Sequence, residues 1–232
     1  MRPVLLAQTR DRALAELAAR QLGLVNRSQA LEIGFSPETI RNRVKRGYWT
    51  EVLPGVYRLP GGTDGLPQRV MAAILWAGKG AVASHRCAAW LRGWDGSGRP
   101  TVEITTTRRL SKRPGIIVHR SAPLLPQDVD RLGPIPVTGA ARTLLDIGSV
   151  LSPENAELAL EDALRRGHVT LARLRWQVAA QGGPGRHGTA GIRTLLKARP
   201  PGYRTTKSGL EVKVRRLLLS ASLPEPIYEY RV

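Results

Sequence analysis

An α+β protein is what this 232-residue sequence predicts, and three stretches carry that expectation. Residues 36–59 (SPETIRNRVKRGYWTEVLPGVYRL) read as a short basic helix followed by two short strands. Residues 101–106 (TVEITT) and 116–119 (IIVH) are β-branched and apolar, the composition of strands. From Ser152 onward apolar residues recur at helical spacing, so the C-terminal region should be mainly helical.

Residues 9–22 predict a first helix, with Leu14, Leu17, Ala18 and Leu22 along one face. Asn26, with Gln29 three residues on, forms a capping-box pattern that opens a second, short helix over about 27–34. Ser36 is a good N-cap for a third, and Pro37 falls at the first helical position, where its missing N–H costs nothing. Ile40 and Val44 fall on one face, and Gly47 stops the helix. Stepping about 100° per residue, the opposite face collects Glu38, Asn42, Lys45 and Arg46, flanked by Thr39, Arg41 and Arg43. Residues 48–53 and 56–59 then form a hairpin around Pro54-Gly55. Helix, short helix, turn, basic helix and hairpin are the order of a winged helix-turn-helix over residues 1–60. The competing reading is an amphipathic helix whose basic face is merely solvated.

On the first reading the third helix enters a major groove of double-stranded DNA. Asn42 is the best base reader, because a carboxamide bonds bidentately to adenine. Lys45 and Arg46 reach guanine or phosphate, Arg41 and Arg43 touch backbone from the flanks, and Thr39 completes the face. Tyr57 and Arg58 in the hairpin contact phosphate or the adjacent minor groove.

Residues 61–65 (GGTDG) make a linker, and residues 66–150 predict an α+β module. Residues 66–77 are helical, and Ser84 caps another helix through Leu91. The two strands of this module are joined by a stretch holding Arg108, Arg109, Lys112, Arg113 and Pro114-Gly115, the densest basic cluster in the chain. It either grips phosphate or is the solvated tip of a hairpin. Residues 138–147 form a helix in which Arg142 and Asp146 are spaced to pair. Residues 151–200 should hold three helices, from about Ser152 to Gly167, from Thr170 past Val178, and from about Thr189 to Ala198. Gly182-Gly183-Pro184-Gly185 and Pro200-Pro201-Gly202 interrupt them. Residues 205–219 predict an amphipathic helix with Leu210, Val214, Leu217 and Leu218 inward, and residues 227–232 a strand.

Composition bounds the function. Hydrophobic residues make up 42% and charged residues 23%, as in a globular chain, and the formal net charge of +18 favours polyanionic partners. Basic residues outnumber acidic ones two to one in each of residues 1–58, 59–150 and 151–232, so charge supports nucleic-acid binding without locating it. The single cysteine, Cys87, excludes an intrachain disulfide and a cysteine-based zinc site. No stretch approaches the roughly 18 apolar residues of a membrane span, and no signal-peptide core precedes the first helix, so a cytoplasmic location without membrane contact is expected. His85, His119, His168 and His187 fall in no ligand-spaced cluster, so hydrogen-bonded structural histidines are expected, with no metal and no cofactor.

The Gly47-Tyr48-Trp49 turn and the PGVYRLPG hairpin resemble the N-terminal domain of AbiEi-type antitoxins. SHRCAAWLRGW (84–94) and IPVTGAARTLLDIG (135–148) are similar to that family's actinobacterial members. The resemblance covers roughly residues 10–150. It implies a DNA-binding antitoxin of a type IV toxin–antitoxin system that represses its own operon and opposes a nucleotidyltransferase-like toxin. The region after the winged domain is implicated in neutralisation in that family, and operator binding as a homo-oligomer is compatible with it.

Ser208, Leu210 and Glu211 resemble the opening helix of very-short-patch-repair-like endonuclease domains, in which Glu211 matches the acidic residue of the first helix. Lys207 and Gly209 depart from that pattern, and the sequence stops at Val232 before the remaining acidic motifs. One glutamate cannot hold Mg²⁺ for phosphodiester cleavage. The chain is therefore expected to be either a truncated nuclease fusion or a fragment holding only the first helix and strand of such a domain (205–232), with no enzymatic activity as it stands. A third reading is a protein–protein neutraliser whose basic surface is incidental.

Overall fold

In the computed structural model the described residues are 2–62, 64–99, 101–122, 124–181, 189–200, 202–203, 205–206 and 208–224, with side chains described from residue 9 onward. The chain divides into two compact units, Met1–Ala88 with Pro100–Thr138, and Ala89–Arg99 with Gly139–Val232. The fold is α+β, with helices and strands in the N-terminal part and helices in the C-terminal part.

The first unit opens with α1 (Arg2–Ala19), which starts earlier and ends sooner than the sequence suggests. Among its described side chains Leu14 and Ala18 are buried, and Leu17 packs against the same core. Gly23 (φ 79°) turns the chain into β1 (Leu24–Asn26), and a Cβ there would stand 2.8 Å from the Gly62 backbone. Asn26 caps α2 (Arg27–Glu32) through the reciprocal box with Gln29, both bonds at 2.9 Å. Next come α3 (Pro37–Lys45), β2 (Thr50–Leu53) and β3 (Val56–Arg58). The strands form an antiparallel sheet in the order β1-β3-β2. Val25 and Tyr57 are register partners and join Phe35, Ile40 and Trp49 in the core beneath the three helices. The period of two turns Leu24 and Val56 to the other face. There α4 (Leu66–Ala77) packs, tied by Gln68 Nε2 donating to the Leu22 carbonyl at 2.7 Å. Eight of the twelve residues of α4 are buried because it also packs on β5 of a second sheet, and so broad an apolar face needs cover on more than one side.

That second sheet joins β4 (Val82–Ala83), β5 (Val102–Thr106), β6 (Ile116–Arg120), β7 (Val129–Leu132) and β8 (Ile135–Thr138) in the order β6-β5-β4-β8-β7. The pairing of β5 with β6 is parallel, so the basic connection is not a hairpin tip. Residues 107–115 run back along the strands and turn at Gly115 (φ 75°). Composition marks a strand but not its direction. The short β4, β7 and β8 escape a sequence reading because each offers too few alternating residues. Between β4 and β5 lies α5 (His85–Leu91), where the Ser84 carbonyl accepts from the Ala88 N–H while the Ser84 hydroxyl meets His85 and Thr105.

In the second unit α6 (Ala140–Ile147), α7 (Pro153–Arg165), α8 (Leu171–Gln181) and α9 (Thr189–Lys197) share one core. The sequence places α6 in the 66–150 module, but its apolar stripe of Ala141, Leu144, Leu145 and Ile147 packs with α7 to α9. Arg142 Nε pairs with Asp146 at 2.8 Å, at the spacing the sequence predicts. The final described helix is α10 (Gly209–Ser220), and its inward face differs from expectation. Val212 and Arg215 are buried, while Leu210 and Leu217 are 70% and 69% exposed and Val214 is 42% exposed. Charge explains the rotation: Glu154 and Glu157 of α7 draw Arg215 and Arg216 of α10 inward, with Arg216 Nη2 2.7 Å from Glu154. The expected strand at 227–232, His187 and the 182–185 loop lie outside the described residues.

Candidate nucleic-acid interface

Helix α3 is fixed at both ends by its own sequence. Ser36 Oγ accepts from the Thr39 N–H at 3.1 Å and meets the Thr39 hydroxyl at 2.8 Å. At the other end Gly47 takes φ 75°, its N–H donates to the Val44 carbonyl, and the chain turns so that Trp49 enters the core. Ile40 is 1% exposed, which anchors the back of the helix. Glu38, Arg41, Asn42, Lys45 and Arg46 are exposed, and Thr39 is half-buried. The front is thus a solvent-facing set of three cations, a carboxamide and a single carboxylate. Two shallow grooves flank it. Thr39, Asn42, Arg43, Arg46 and Tyr48 line one, and Arg27, Arg41, Lys45 and Glu51 border the other.

Three expected contact residues sit differently from their assignment. The Arg43 guanidinium is half-buried, ion-paired to Asp11 and stacked over Phe35 and Trp49 at 4.9 and 5.3 Å. Tyr57 is 4% exposed, with its ring 5.7 Å from that of Trp49, so its ring is part of the core and it meets the surface only where it lines the groove beside Arg41 and Lys45. The reason is register: β3 is the central strand, and pairing of Tyr57 with Val25 directs it under the helices. Arg58 is half-buried in the same strand, beside Gly62. The turn of the hairpin is Pro54-Gly55, where Glu51 accepts from the Gly55 N–H at 2.8 Å.

The connection between β5 and β6 holds exposed Arg108, Arg109, Lys112 and Arg113. Arg108 Nη1 donates to the carbonyl of Ala77 at 2.9 Å, so this guanidinium caps the C-terminal end of α4. Sequence reasoning missed Tyr48, which is 59% exposed beside Asn42 and Arg46, and Arg27 at the start of α2. Tyr48 had a legible signal, an aromatic directly after the helix-stopping glycine.

The sequence also left His85, Glu103 and His119 apart. The structure brings them together, with one potential ligand atom of each within 4.8 Å of the others. Their separation in sequence hid the cluster, although a lone glutamate inside the β-branched run TVEITT was a hint. Among the described residues Glu211 joins no such cluster, and its backbone N–H is capped by Ser208 at 3.2 Å.

The capped helix with its cationic front and the antiparallel hairpin fall inside one recognisable segment. Residues 12–60 match the family described as transcriptional regulator, AbiEi antitoxin. The match spans less than half of the chain, so it characterises the N-terminal segment that carries α3. Among solved structures, the crystal structure of the RV2827C protein from Mycobacterium tuberculosis is similar, with 15% identity and a TM-score of 0.50. The similarity covers 94% of this chain and 82% of that one, and it is a likeness of fold. Among curated proteins none matches. No described helix is long and apolar enough to cross a membrane.

Proposed function

We propose that this chain is a DNA-binding antitoxin of the AbiEi type, acting as a repressor of its own operon. On this reading residues 1–60 are a winged helix-turn-helix, α3 is the recognition helix and the β2–β3 hairpin is the wing. The observation that carries it is the α3 front, where Arg41, Asn42, Lys45 and Arg46 are exposed on a helix anchored by buried Ile40. The antitoxin-family match over the same segment supports it. Phosphate contacts from the cations position the helix, and Asn42 reads a base edge. The cognate toxin on this reading is a nucleotidyltransferase-like protein, the chain binds its operator as a homo-oligomer, and it works in the cytoplasm without enzymatic activity of its own.

The test is competition binding of the purified chain to DNA upstream of its gene and to a scrambled duplex at fixed salt. Preference for the upstream DNA by a factor of about 10³ or more is expected. Equal binding to both would leave only the non-specific attraction of a +18 chain.

A further inference from the structure

Three groups from separate elements meet on one face of the five-stranded sheet. The period of two along β5 directs Glu103 and Thr105 to the same side, and parallel pairing sets His119 of β6 beside Thr105. His85 opens α5 over that side. Its backbone takes φ 51°, a left-handed conformation uncommon for a residue with a side chain. His119 Nε2 lies 3.2 Å from Glu103 Oε2, and the two imidazoles stack with centroids 3.5 Å apart.

Outer groups orient His85 and Glu103. Ser84 Oγ lies 2.9 Å from His85 Nδ1 and accepts from Thr105 Oγ1 at 2.8 Å. Arg86 Nε donates to Oε1 of Glu103, which leaves Oε2 on the histidine side. The Glu103 side chain is 0% exposed, and a carboxylate so placed needs cationic company. A histidine held through one nitrogen and a carboxylate held through one oxygen are the arrangement found around metal ligands.

We propose that His85, Glu103 and His119 form a binding site for a divalent transition-metal ion of the zinc type. Two imidazoles and one carboxylate suit zinc, cobalt or nickel. Magnesium and calcium, which take oxygen ligands, are disfavoured. A metal lies in the plane of each imidazole that ligates it, so one ring of the stack turns about its Cβ–Cγ bond on binding. His119, with its side chain 25% exposed, has the room to do so. Three protein ligands leave a fourth position for water or an external anion. The bound ion ties the start of α5 to β5 and β6.

Equilibrium dialysis of the untagged full chain against Zn²⁺, Co²⁺ and Mg²⁺ tests the site. Stoichiometric Zn²⁺ and Co²⁺ binding is expected, with visible Co²⁺ absorption and no retention of Mg²⁺. His119→Gln and Glu103→Gln should weaken Zn²⁺ binding by more than the roughly 10–100-fold that Ser84→Ala, an outer-shell change, would cost. If Glu103→Gln fails to fold by circular dichroism, His119→Gln at the partly exposed position decides. Absence of stoichiometric binding to the folded wild-type chain, or binding unchanged in folded His119→Gln, would overturn the proposal.

Discussion

Arg43 Nη2 lies 2.7 Å from Oδ1 and 3.0 Å from Oδ2 of Asp11, joining α3 to α1. The pair is only partly screened from water, with side chains 30% and 46% exposed, so the ion pair itself contributes about 0–1 kcal/mol. Stacking on Phe35 and Trp49 adds about 0.5–2 kcal/mol. Arg43→Ala is therefore expected to destabilise the N-terminal segment by about 1–2 kcal/mol in urea unfolding. DNA affinity per folded molecule should change less than in Arg41→Ala. An unchanged unfolding midpoint with a large loss of DNA affinity would instead place Arg43 on phosphate.

Asn42 is the discriminating residue on the front of α3. Asn42→Ala should cost about 1–3 kcal/mol on the operator and little on scrambled DNA. Arg46→Ala and Tyr48→Ala, which border the same groove, should also weaken operator binding. Ile40→Asp is the folding control, since it places a charge where the side chain is 1% exposed. If folded front-face variants all retain operator affinity, α3 is not the reader.

Salt dependence separates the two arginines that follow β5. Arg108 is engaged at the end of α4, whereas Arg109 is exposed in the connection. Arg109→Ala should reduce the log–log salt slope by roughly 0.9 if its guanidinium meets a phosphate. Arg108→Ala should lower thermal stability by the loss of a cap and leave the slope nearer to wild type. Equal slopes in both variants and wild type would make the connection merely solvated.

In the helical unit Arg199 and Glu161 are 0% and 1% exposed, and Arg199 Nε donates to Glu161 Oε1 at 2.6 Å. Burial opposes the guanidinium charge, but Glu161 and Glu157 outweigh it and hold the Arg199 pKa above its ordinary value. Tyr203 and Thr206 also donate to Glu161. Removing the cation leaves a buried carboxylate, so Arg199→Ala should destabilise the chain by about 3–5 kcal/mol. Adding Glu161→Leu to an Arg199→Met background should recover much of the loss, because the pair rather than either charge is what the core tolerates. A cost under about 1 kcal/mol for Arg199→Ala would mean that water reaches the site.

Alkaline pH should weaken the fold before arginine titrates. Burial pushes the Cys87 thiol from 9.0 up to about 11. Burial together with the neighbouring Glu161 raises the Tyr203 phenol above its usual 10.0. Both groups are neutral when protonated, and the folded chain keeps those protons to higher pH than the unfolded chain. The Cys87 contribution is full below about pH 9 and is lost as pH rises through about 11, at up to ~1.4 kcal/mol per pH unit, whereas that of Tyr203 begins to decline only as pH rises past about 10. Urea midpoints followed from about pH 8 to about pH 11 should fall. Cys87→Ala should flatten the first part of the decline, and an identical pH profile in that variant would refute the assignment.

Local rules read helix caps, a helix stop and a short-range ion pair well. The Asn26–Gln29 box, the Ser36 cap, the Gly47 stop and the Arg142–Asp146 pair all depend on residues within four positions of one another. Failures came where distant elements decide. Tyr57 looked like a hairpin contact until pairing with Val25 placed it in the core. The leucine face of α10 looked inward until the carboxylates of α7 drew its arginines there instead. The direction of β6, and with it the meeting of His119, Glu103 and His85, depends on a parallel register that a strand's composition does not encode.

Helix α4 covers the outer face of the β1-β3-β2 sheet while also lying against β5. Residues 1–60 are therefore not a portable module, even though the family match ends at residue 60. Excising them would bare Leu24 and Val56, both at most 1% exposed, and remove the Gln68 side chain from the Leu22 carbonyl. Such a fragment should expose a sticky apolar face and self-associate, and a graft of this segment onto another protein would have to carry α4 with it.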